Sequence, residues 1–430
     1  MLARRVVFSF FVMIISPLLG LWYGFRDANT NYKKWTLILF ITFYGSVINL
    51  YEGADGFVHQ REVFDYYLGL GLGEFLSGCF DIITLRTNDQ IQEDLFIHIV
   101  SFLCGGVLGL PKLFFVIVSF VFGYFYANSL FKVIKLNPNF KYSFVFYGFV
   151  TAFVLWKGIE GINTVRTWTG LWVMFYGALS FFETKKAKYL ILVFIPQYIH
   201  IGYYAMAIPT WLVVLFGARP KLFSILFFIS FGFNILNPAS VTERLEQTEV
   251  GQEKVKGYYV EEEQTVADKY QESKGRGANF YKNLYKAGLQ FYVVSILASI
   301  LIIGGYYADK MTFVESRLFS IGLLSKVLSS STWFIFALSN RSAMISGLFI
   351  LAAFVMMACR GAFRPEGKKY PVIEKNMINL CFLGFLPYLL LKLSELIEFL
   401  SFYVISTPFV VWFSSDSNMS IKDALKWLIN

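Results

Sequence analysis

Apolar runs, each roughly 15 to 22 residues long, follow one another along this chain of 430 residues. A run of that length can cross the hydrocarbon core of a bilayer as a helix, and its repetition is typical of a polytopic membrane protein. Only 16% of the residues are charged, whereas a soluble domain carries about 25%. The sequence therefore predicts an all-α, integral membrane protein.

We expect a single membrane domain over residues 1–430 with roughly 12–13 transmembrane helices. The segment 189–217 contains Pro196 and Pro209, which break helices, so we expect it to enter the membrane and return as two short helices. The other expected spans are 6–25, 35–51, 112–131, 143–157, 167–183, 221–237, 286–307, 317–338, 341–360, 376–391 and 398–413.

Short clusters of Lys and Arg between the spans set the expected orientation, because such clusters mark cytoplasmic connections. This bias also accounts for the net charge of +9 without a nucleic-acid partner. With Arg26, Lys33 and Lys34 in the cytoplasm as well, the N-terminus is expected outside. The four clusters are Lys132, Lys135 and Lys141; Lys185, Lys186 and Lys188; Arg219 and Lys221; and Arg360, Arg364, Lys368 and Lys369.

This orientation leaves two large connections on the extracytoplasmic side. The first, 52–111, contains an apolar stretch at 93–109, which we expect to be a juxtamembrane helix lying on or dipping into the outer leaflet. The second, 238–285, is rich in Glu, and a connection of that length is usually functional or disordered.

Three ionisable residues occur where apolar helices meet the expected outer surface: Asp55, Arg166 and His200. Ionisable groups are costly there and are candidate functional sites. Asp55 is a candidate general base, Arg166 offers a planar fork of donors suited to phosphate, and His200 lies at the tip of the broken segment. Ordinary alternatives remain open, namely a solvated acid or helix cap, a snorkelling arginine and a hydrogen-bonded interior histidine.

Four further residues are candidates for substrate binding, namely Arg61, Asp65, Glu93 and Arg341. His98 lies on an apolar face and is expected to be an interior histidine. The residues show no metal-binding constellation of the His, Asp and Glu type, and the four cysteines have no CxxC spacing. We therefore expect neither a metal nor a cofactor.

The order of several weak patterns between about 51 and 217 resembles that of the EpsG/Wzy type of membrane polysaccharide polymerase. These patterns are Gly53-Ala54-Asp55 at the end of a span, Glu93-Asp94 opening an apolar helix that breaks at Pro111, Lys132 to Lys135, Val165-Arg166 before an apolar helix, Lys185 to Lys188, and Tyr198-Ile199-His200.

The resemblance implies a GT-C-like membrane glycosyltransferase that joins oligosaccharide repeat units, carried on polyprenyl diphosphate, at the outer face of the bacterial cytoplasmic membrane. It also implies membrane lipid, a flippase and a chain-length regulator as partners. The chain departs from the family at three places. His59 replaces the tyrosine four residues after the acid, Thr167 follows Arg166 in place of glutamine, and 393–403 lacks the usual arginine, for which Arg341 is a substitute.

Other functions remain open. A ligase or a single-sugar transferase would use the same polyprenyl donors and differ only in its acceptor. A flippase or transporter of the same glycans is a third hypothesis, but transporters of this size commonly show two related halves, and the sequence shows no such repeat.

Overall fold

The computed structural model describes residues 2–27, 29–50, 55–84, 86, 94–232, 310–333, 335–363, 371–408, 411–412 and 419–429. Within these ranges the regular structure is helical, and the single bridge between Ser401 and Ser420 is isolated. The α-helices are α1 (Leu2–Ile15), α2 (Pro17–Phe25), α3 (Thr30–Ser46), α4 (Asp55–Glu62), α5 (Leu72–Ile83), α6 (Leu95–Phe102), α7 (Phe114–Val133), α8 (Phe144–Val154), α9 (Arg166–Thr184), α10 (Lys188–Phe194), α11 (Pro196–Ile199), α12 (Tyr203–Met206), α13 (Ile208–Phe216), α14 (Pro220–Ser230), α15 (Phe313–Ser331), α16 (Phe336–Cys359), α17 (Pro371–Phe399) and α18 (Ile421–Ile429).

Shorter helical turns connect several of these helices. Two are π-helical, Val63–Tyr67 after α4 and Leu103–Val107 after α6, and three are 3₁₀ turns, Pro111–Leu113, Ile159–Thr164 and Phe402–Val404.

Four helical segments in the described part of the chain are long and apolar enough to cross a membrane: Pro111–Val133, Phe144–Thr164, Ala337–Cys359 and Lys375–Glu398. Large apolar side chains are also exposed along the outside of the bundle, for example Phe144, which is 80% exposed. Such surfaces are stable in lipid and unfavourable in water. The described part of the chain is thus that of an all-helical membrane protein, and it contains four spans by this criterion, whereas the sequence predicted 12–13 over the whole chain.

Helix α9 runs through the middle of the bundle and separates two ends. Its last turn carries Glu183, whose carboxylate pairs with Lys132 in the last turn of α7 and with Lys135 just beyond that helix. Its first residue is Arg166, and a helix of 19 residues rises about 28 Å, close to the thickness of the hydrocarbon core. We call the end with Glu183 the basic end and the end with Arg166 the site end.

The remaining basic clusters with described residues also reach the basic end. Lys185 lies over the ring of Phe313, at the start of α15, and Arg360 pairs with Glu315 in the first turn of the same helix. Arg364, Lys368 and Lys369 lie outside the described residues. The expectation that these connections share one side is therefore confirmed for Lys132, Lys185 and Arg360.

The segment 189–217 leaves the basic end and returns to it. It forms the four short helices α10 to α13, with His200 between α11 and α12. Gly217, the last residue of the segment, lies close to Arg317, which belongs to α15 like Phe313. A Cβ atom on Gly217 would be 3.9 Å from Nη2 of Arg317. The expected hairpin is confirmed, but each of its two arms consists of two short helices instead of one.

The first expected span, 6–25, is wrong. The chain folds back at Ser16, so that α1 and α2 form an antiparallel hairpin in which a Cβ atom on Gly20 would touch Met13. Arg5 accordingly pairs with Asp27 across the open end of this hairpin. Two helices of 14 and 9 residues are each too short to span.

The expected position of the N-terminus is corrected as a consequence. The open end of the hairpin lies near the basic end, since the ring of Phe25 packs 6.3 Å from that of Phe131. Arg5 is therefore on the same side as Lys132, not on the opposite side. A single span would place the two ends of residues 6–25 on opposite sides, whereas the hairpin places both on one side. The sequence pattern did not reveal this reversal.

The expected span 398–413 is also wrong. Helix α17 continues for 29 residues to Phe399, past the polar positions that were expected to form a connection. Lys392 is 4% exposed and pairs with Glu160 and Glu395. Because a buried charge is tolerated when it is paired, the helix does not need to end there.

The first large connection is mostly helical, since it contains α4, α5 and α6. The apolar stretch expected at 93–109 forms α6 and the π turn Leu103–Val107, which together are too short to span. The second connection, 238–285, and the expected span 286–307 lie outside the described residues, as does 221–237 beyond residue 232.

Candidate functional site

A cluster of four ionisable side chains lies at the site end of α9. Nη1 of Arg166 donates to Oδ2 of Asp94 at 2.7 Å, and Nδ1 of His200 lies 3.3 Å from the same oxygen. The backbone N–H of Ile201 donates to Oδ1 of Asp94 at 2.9 Å. On its other side, the His200 ring contacts Arg341, whose Nη1 atom is hydrogen-bonded to Nε2.

Asp94 immediately precedes α6, and its side chain does not cap that helix. Its carboxylate is instead completely buried and directed at α9 and at the tip of the broken segment. A buried carboxylate is stable only when paired and hydrogen-bonded. Asp94 meets that condition with contacts from three donors, so it fixes Arg166 and His200 relative to each other.

Arg166 begins α9 directly after the 3₁₀ turn Ile159–Thr164. Between them, Val165 has a φ of 45°, a conformation that is unfavourable for a β-branched residue. The strain is maintained because Val165 is fully buried and its N–H donates to the carbonyl of Ile162. Strained backbone of this kind occurs often at functional sites, and here it sets the direction in which α9 starts.

His200 has an extended backbone, with φ of −157°, between the two short helices α11 and α12. Pro196 begins α11, and its carbonyl accepts a hydrogen bond from the N–H of His200. The next helix is attached to α9, because the Tyr203 hydroxyl donates to the carbonyl of Thr167. The break in the segment therefore positions the imidazole against the start of α9.

The hydrogen bonds define the tautomer of His200. A guanidinium has donors only, so Nε2 of His200 accepts from Arg341 through its lone pair. Nδ1 then carries the proton and donates it to Asp94. This arrangement describes a neutral imidazole oriented by a carboxylate, which is how a general base or a phosphate-contacting histidine is commonly held.

Electrostatics agree with this assignment. Burial lowers the pKa of His200, and the charges of Arg341 and Arg166 lower it further, against the opposing effect of Asp94. For Asp94, burial raises the pKa, but His200, Arg166 and the Ile201 N–H together outweigh burial and lower it to about 2. Both groups lie outside the four spans. At neutral pH Asp94 is thus a carboxylate, His200 is neutral and the two arginines are cationic.

Two of the three main candidate residues are therefore in contact through a common partner, and the third is not in this cluster. Asp55 is exposed at the first position of α4. Its neighbour Gly56 packs so closely on the 3₁₀ turn before α9 that a Cβ atom there would lie 2.5 Å from Oδ1 of Asn163. Asp55 is thus at the same end of the molecule as Arg166, but none of its described contacts is with Arg166 or His200.

The other candidates are distributed differently. Arg341 joins the cluster, whereas Arg61 and Asp65 form an exposed ion pair with each other at 3.0 Å. Glu93 lies outside the described residues. His98 is an interior histidine as expected, with Tyr67 on one ring nitrogen and the Phe75 carbonyl on the other.

The residue that sequence reasoning missed is Asp94. It belongs to the Glu93-Asp94 pattern, in which the sequence indicates Glu93, not Asp94, as the candidate for substrate binding. The available signal was its position directly before an apolar helix, where an acid normally caps the helix. Only the tertiary contacts reveal that this carboxylate instead pairs with Arg166 at the start of α9 and with His200.

Comparison with protein-family models, with curated proteins and with solved structures gives no match.

Proposed function

We propose that this chain is a membrane glycosyltransferase that joins oligosaccharide repeat units carried on polyprenyl diphosphate, at the outer face of the bacterial cytoplasmic membrane. The observation that carries the proposal is the convergence of Arg166, His200 and Arg341 around the buried Asp94, at the end of the bundle away from the basic clusters. Two guanidinium groups beside one neutral imidazole suit a diphosphate.

In the proposed reaction, a hydroxyl of the acceptor sugar attacks the anomeric carbon of the donor sugar. The bond from that carbon to the diphosphate oxygen breaks, and the polyprenyl diphosphate leaves with the bonding electrons. Arg166 and Arg341 offset the charge that develops on the leaving group. Asp94 orients Arg166 and His200 without touching substrate, because it has no exposed surface.

The proton of the attacking hydroxyl needs a base. Asp55 is the candidate, since it is exposed and belongs to a helix packed on the turn before Arg166. Asp94 is excluded from this role because its pKa of about 2 makes it a poor base at neutral pH. His200 would become available only when Arg341 turns from Nε2 toward a bound phosphate.

The test is a reconstituted assay with purified protein and a lipid-linked repeat unit. A ladder of products is expected for a polymerase, and a single addition would indicate a ligase or single-sugar transferase. Arg166→Ala and Arg341→Ala should each lower the rate about 100- to 1,000-fold, as the loss of a charge-stabilising donor does. Arg166→Lys should also be impaired, because a point charge cannot replace a bidentate fork.

The matched control is Lys221→Ala, which removes an exposed cation from the first turn of α14. It should keep the wild-type rate. If Arg166→Ala and Arg341→Ala also produced glycan at the wild-type rate and length, the cluster would not be the donor site.

A further inference from the structure

A second feature of the site end is a cavity of about 620 Å³ beside α4 and its π turn. Its volume is within the range of ligand sites in proteins, which is about 300–1,000 Å³. The walls come from α1, α3, α4 with its π turn, the turn Pro111–Leu113, the start of α7 and residues 411–412, and they are mostly aromatic and aliphatic. The residues that matter here are Phe10, Phe43, Phe64, Val116, Trp412 and Lys112.

Lys112 is the one cation that lines this cavity. It is exposed in the 3₁₀ turn before α7, at the opposite end of that helix from Lys132. In the described part of the chain it makes no ion pair, although the other lysines of the neighbouring helices are paired or gathered at the basic end. An unpaired cation at an apolar cavity suits an amphiphile with an anionic head group and a hydrocarbon chain.

Helix α4 forms one wall of the cavity and also packs on the turn that leads to the ion cluster. Gln60 of α4 and Phe64 of the following turn line the cavity. Gly56, one turn earlier, packs against Asn163 in the turn that leads to Arg166. The exposed Asp55 is at the start of this wall. None of the residues of the ion cluster lines the cavity.

We propose that this cavity binds the hydrocarbon chain of a polyprenyl-phosphate lipid, with the phosphate paired to Lys112. The site is separate from the arginine cluster. Joining two lipid-linked repeat units requires two lipid carriers at once, so this second site would hold the acceptor. The identity of the lipid as a polyprenyl phosphate and its assignment to the acceptor rest on the proposed function, whereas the site for an anionic lipid rests on the cavity and on Lys112.

The test uses the full-length protein in phosphatidylcholine nanodiscs and a polyprenyl phosphate with a photoactivatable group in its hydrocarbon chain. After irradiation, mass spectrometry should locate the label on peptides that contain Phe43, Phe64 or Trp412. Lys112→Ala should lower this labelling about fivefold, the effect of one lysine on an anionic lipid. Val116→Trp should lower it by filling the cavity, and Lys221→Ala, at the basic end, should not.

Three outcomes would overturn the proposal: equal labelling of the Lys112→Ala variant, equal labelling by the uncharged polyprenol, or displacement of the probe by ordinary phosphatidylglycerol at the same concentration. Labelling in the cavity that depends on Lys112 supports the site even if no glycan joining is ever observed, and in that case only the proposed function fails. Arg166→Ala should leave the label in place, which separates the two sites.

Discussion

Asp94 uses both of its carboxylate oxygens to hold parts of the chain that are distant in sequence. Oδ2 contacts the side chains of Arg166 and His200, and Oδ1 accepts from the backbone of Ile201. The same carboxylate therefore orients one cation and one imidazole, and through His200 it also reaches Arg341. At the scale of single residues, the site depends on a group that no substrate can touch.

Asp94→Asn keeps the size of the side chain and removes its charge. Breaking a buried ion pair costs about 3–5 kcal/mol, and we expect about 3 kcal/mol because Arg166 retains some exposure to solvent. Thermal unfolding of the detergent-solubilised protein measures the loss. The matched control is Asp65→Asn, whose ion pair with Arg61 is exposed and should contribute almost nothing. Equal stability of the two variants would contradict the structural role of Asp94.

The pH dependence of stability follows from the same contacts. The pKa of His200 is lowered from its ordinary value of 6.5, so below pH 6.5 the unfolded chain binds a proton that the folded chain does not. Stability should therefore fall as the pH decreases from 7 to 5. It should fall again below pH 3.8, where unfolded Asp94 becomes protonated and folded Asp94, with a pKa of about 2, does not.

Unfolding temperatures measured between pH 8 and pH 3 check both parts of this prediction. His200→Gln removes the titrating group, so the difference in stability between wild type and variant should shrink as the pH falls from 7 to 5. A constant difference over that interval would show that His200 titrates equally in the folded and unfolded chain.

At the scale of elements, the site depends on how closely α4 approaches the 3₁₀ turn Ile159–Thr164. Gly56 allows this approach because it has no side chain, and the strained Val165 then directs α9 away from the turn. The position of Asp55 relative to Arg166 is set by this contact. A short helix and a single turn therefore connect the exposed acid with the buried cluster.

Gly56→Ala tests this contact. The added Cβ atom would lie 2.5 Å from the side chain and 2.8 Å from the backbone carbonyl of Asn163, so α4 must move. We expect a loss of about 1–3 kcal/mol, as in other overpacked sites, together with reduced glycan joining. Gly73→Ala in α5 is the control, because nothing lies within 4 Å of its Cβ position. If both substitutions behaved alike in thermal unfolding, the close approach would be irrelevant.

At the scale of the whole molecule, one end of the bundle collects the basic residues and the other holds the ion cluster. At the basic end, Glu183 pairs with Lys132 and Arg360 pairs with Glu315, so these ion pairs join neighbouring helices there. The open end of the N-terminal hairpin, where Arg5 pairs with Asp27, lies at the same end. The positive-inside rule predicts that the basic end faces the cytoplasm. We therefore expect the ion cluster and the cavity beside Lys112 to face outward.

Cysteine labelling in intact cells tests this orientation. In a variant without the four native cysteines, Arg61→Cys should react with a membrane-impermeant maleimide from outside. Arg5→Cys and Lys186→Cys should react only after the membrane is permeabilised, because both positions belong to the basic end. Labelling of Arg5→Cys in intact cells would contradict the hairpin formed by α1 and α2.

Several features were predictable from sequence because their causes are local. Apolar runs predicted most of the long helices, Pro196 predicted the break before His200, and the lysine clusters predicted which connections share a side. Each of these depends on hydropathy, on the missing N–H of proline or on the distribution of charge, all of which are properties of a short stretch of chain.

Other features depended on partners that are remote along the chain. The antiparallel hairpin at Ser16, the continuation of α17 past Lys392, and the commitment of Asp94 to Arg166 and His200 were decided by tertiary contacts. A local pattern carries no record of which distant group neutralises a charge or packs against a glycine. The sequence alone therefore determined a helical membrane protein with a few ionisable residues at the ends of apolar helices. Only the tertiary structure decided which carboxylate Arg166 and His200 share, because a buried carboxylate must be paired.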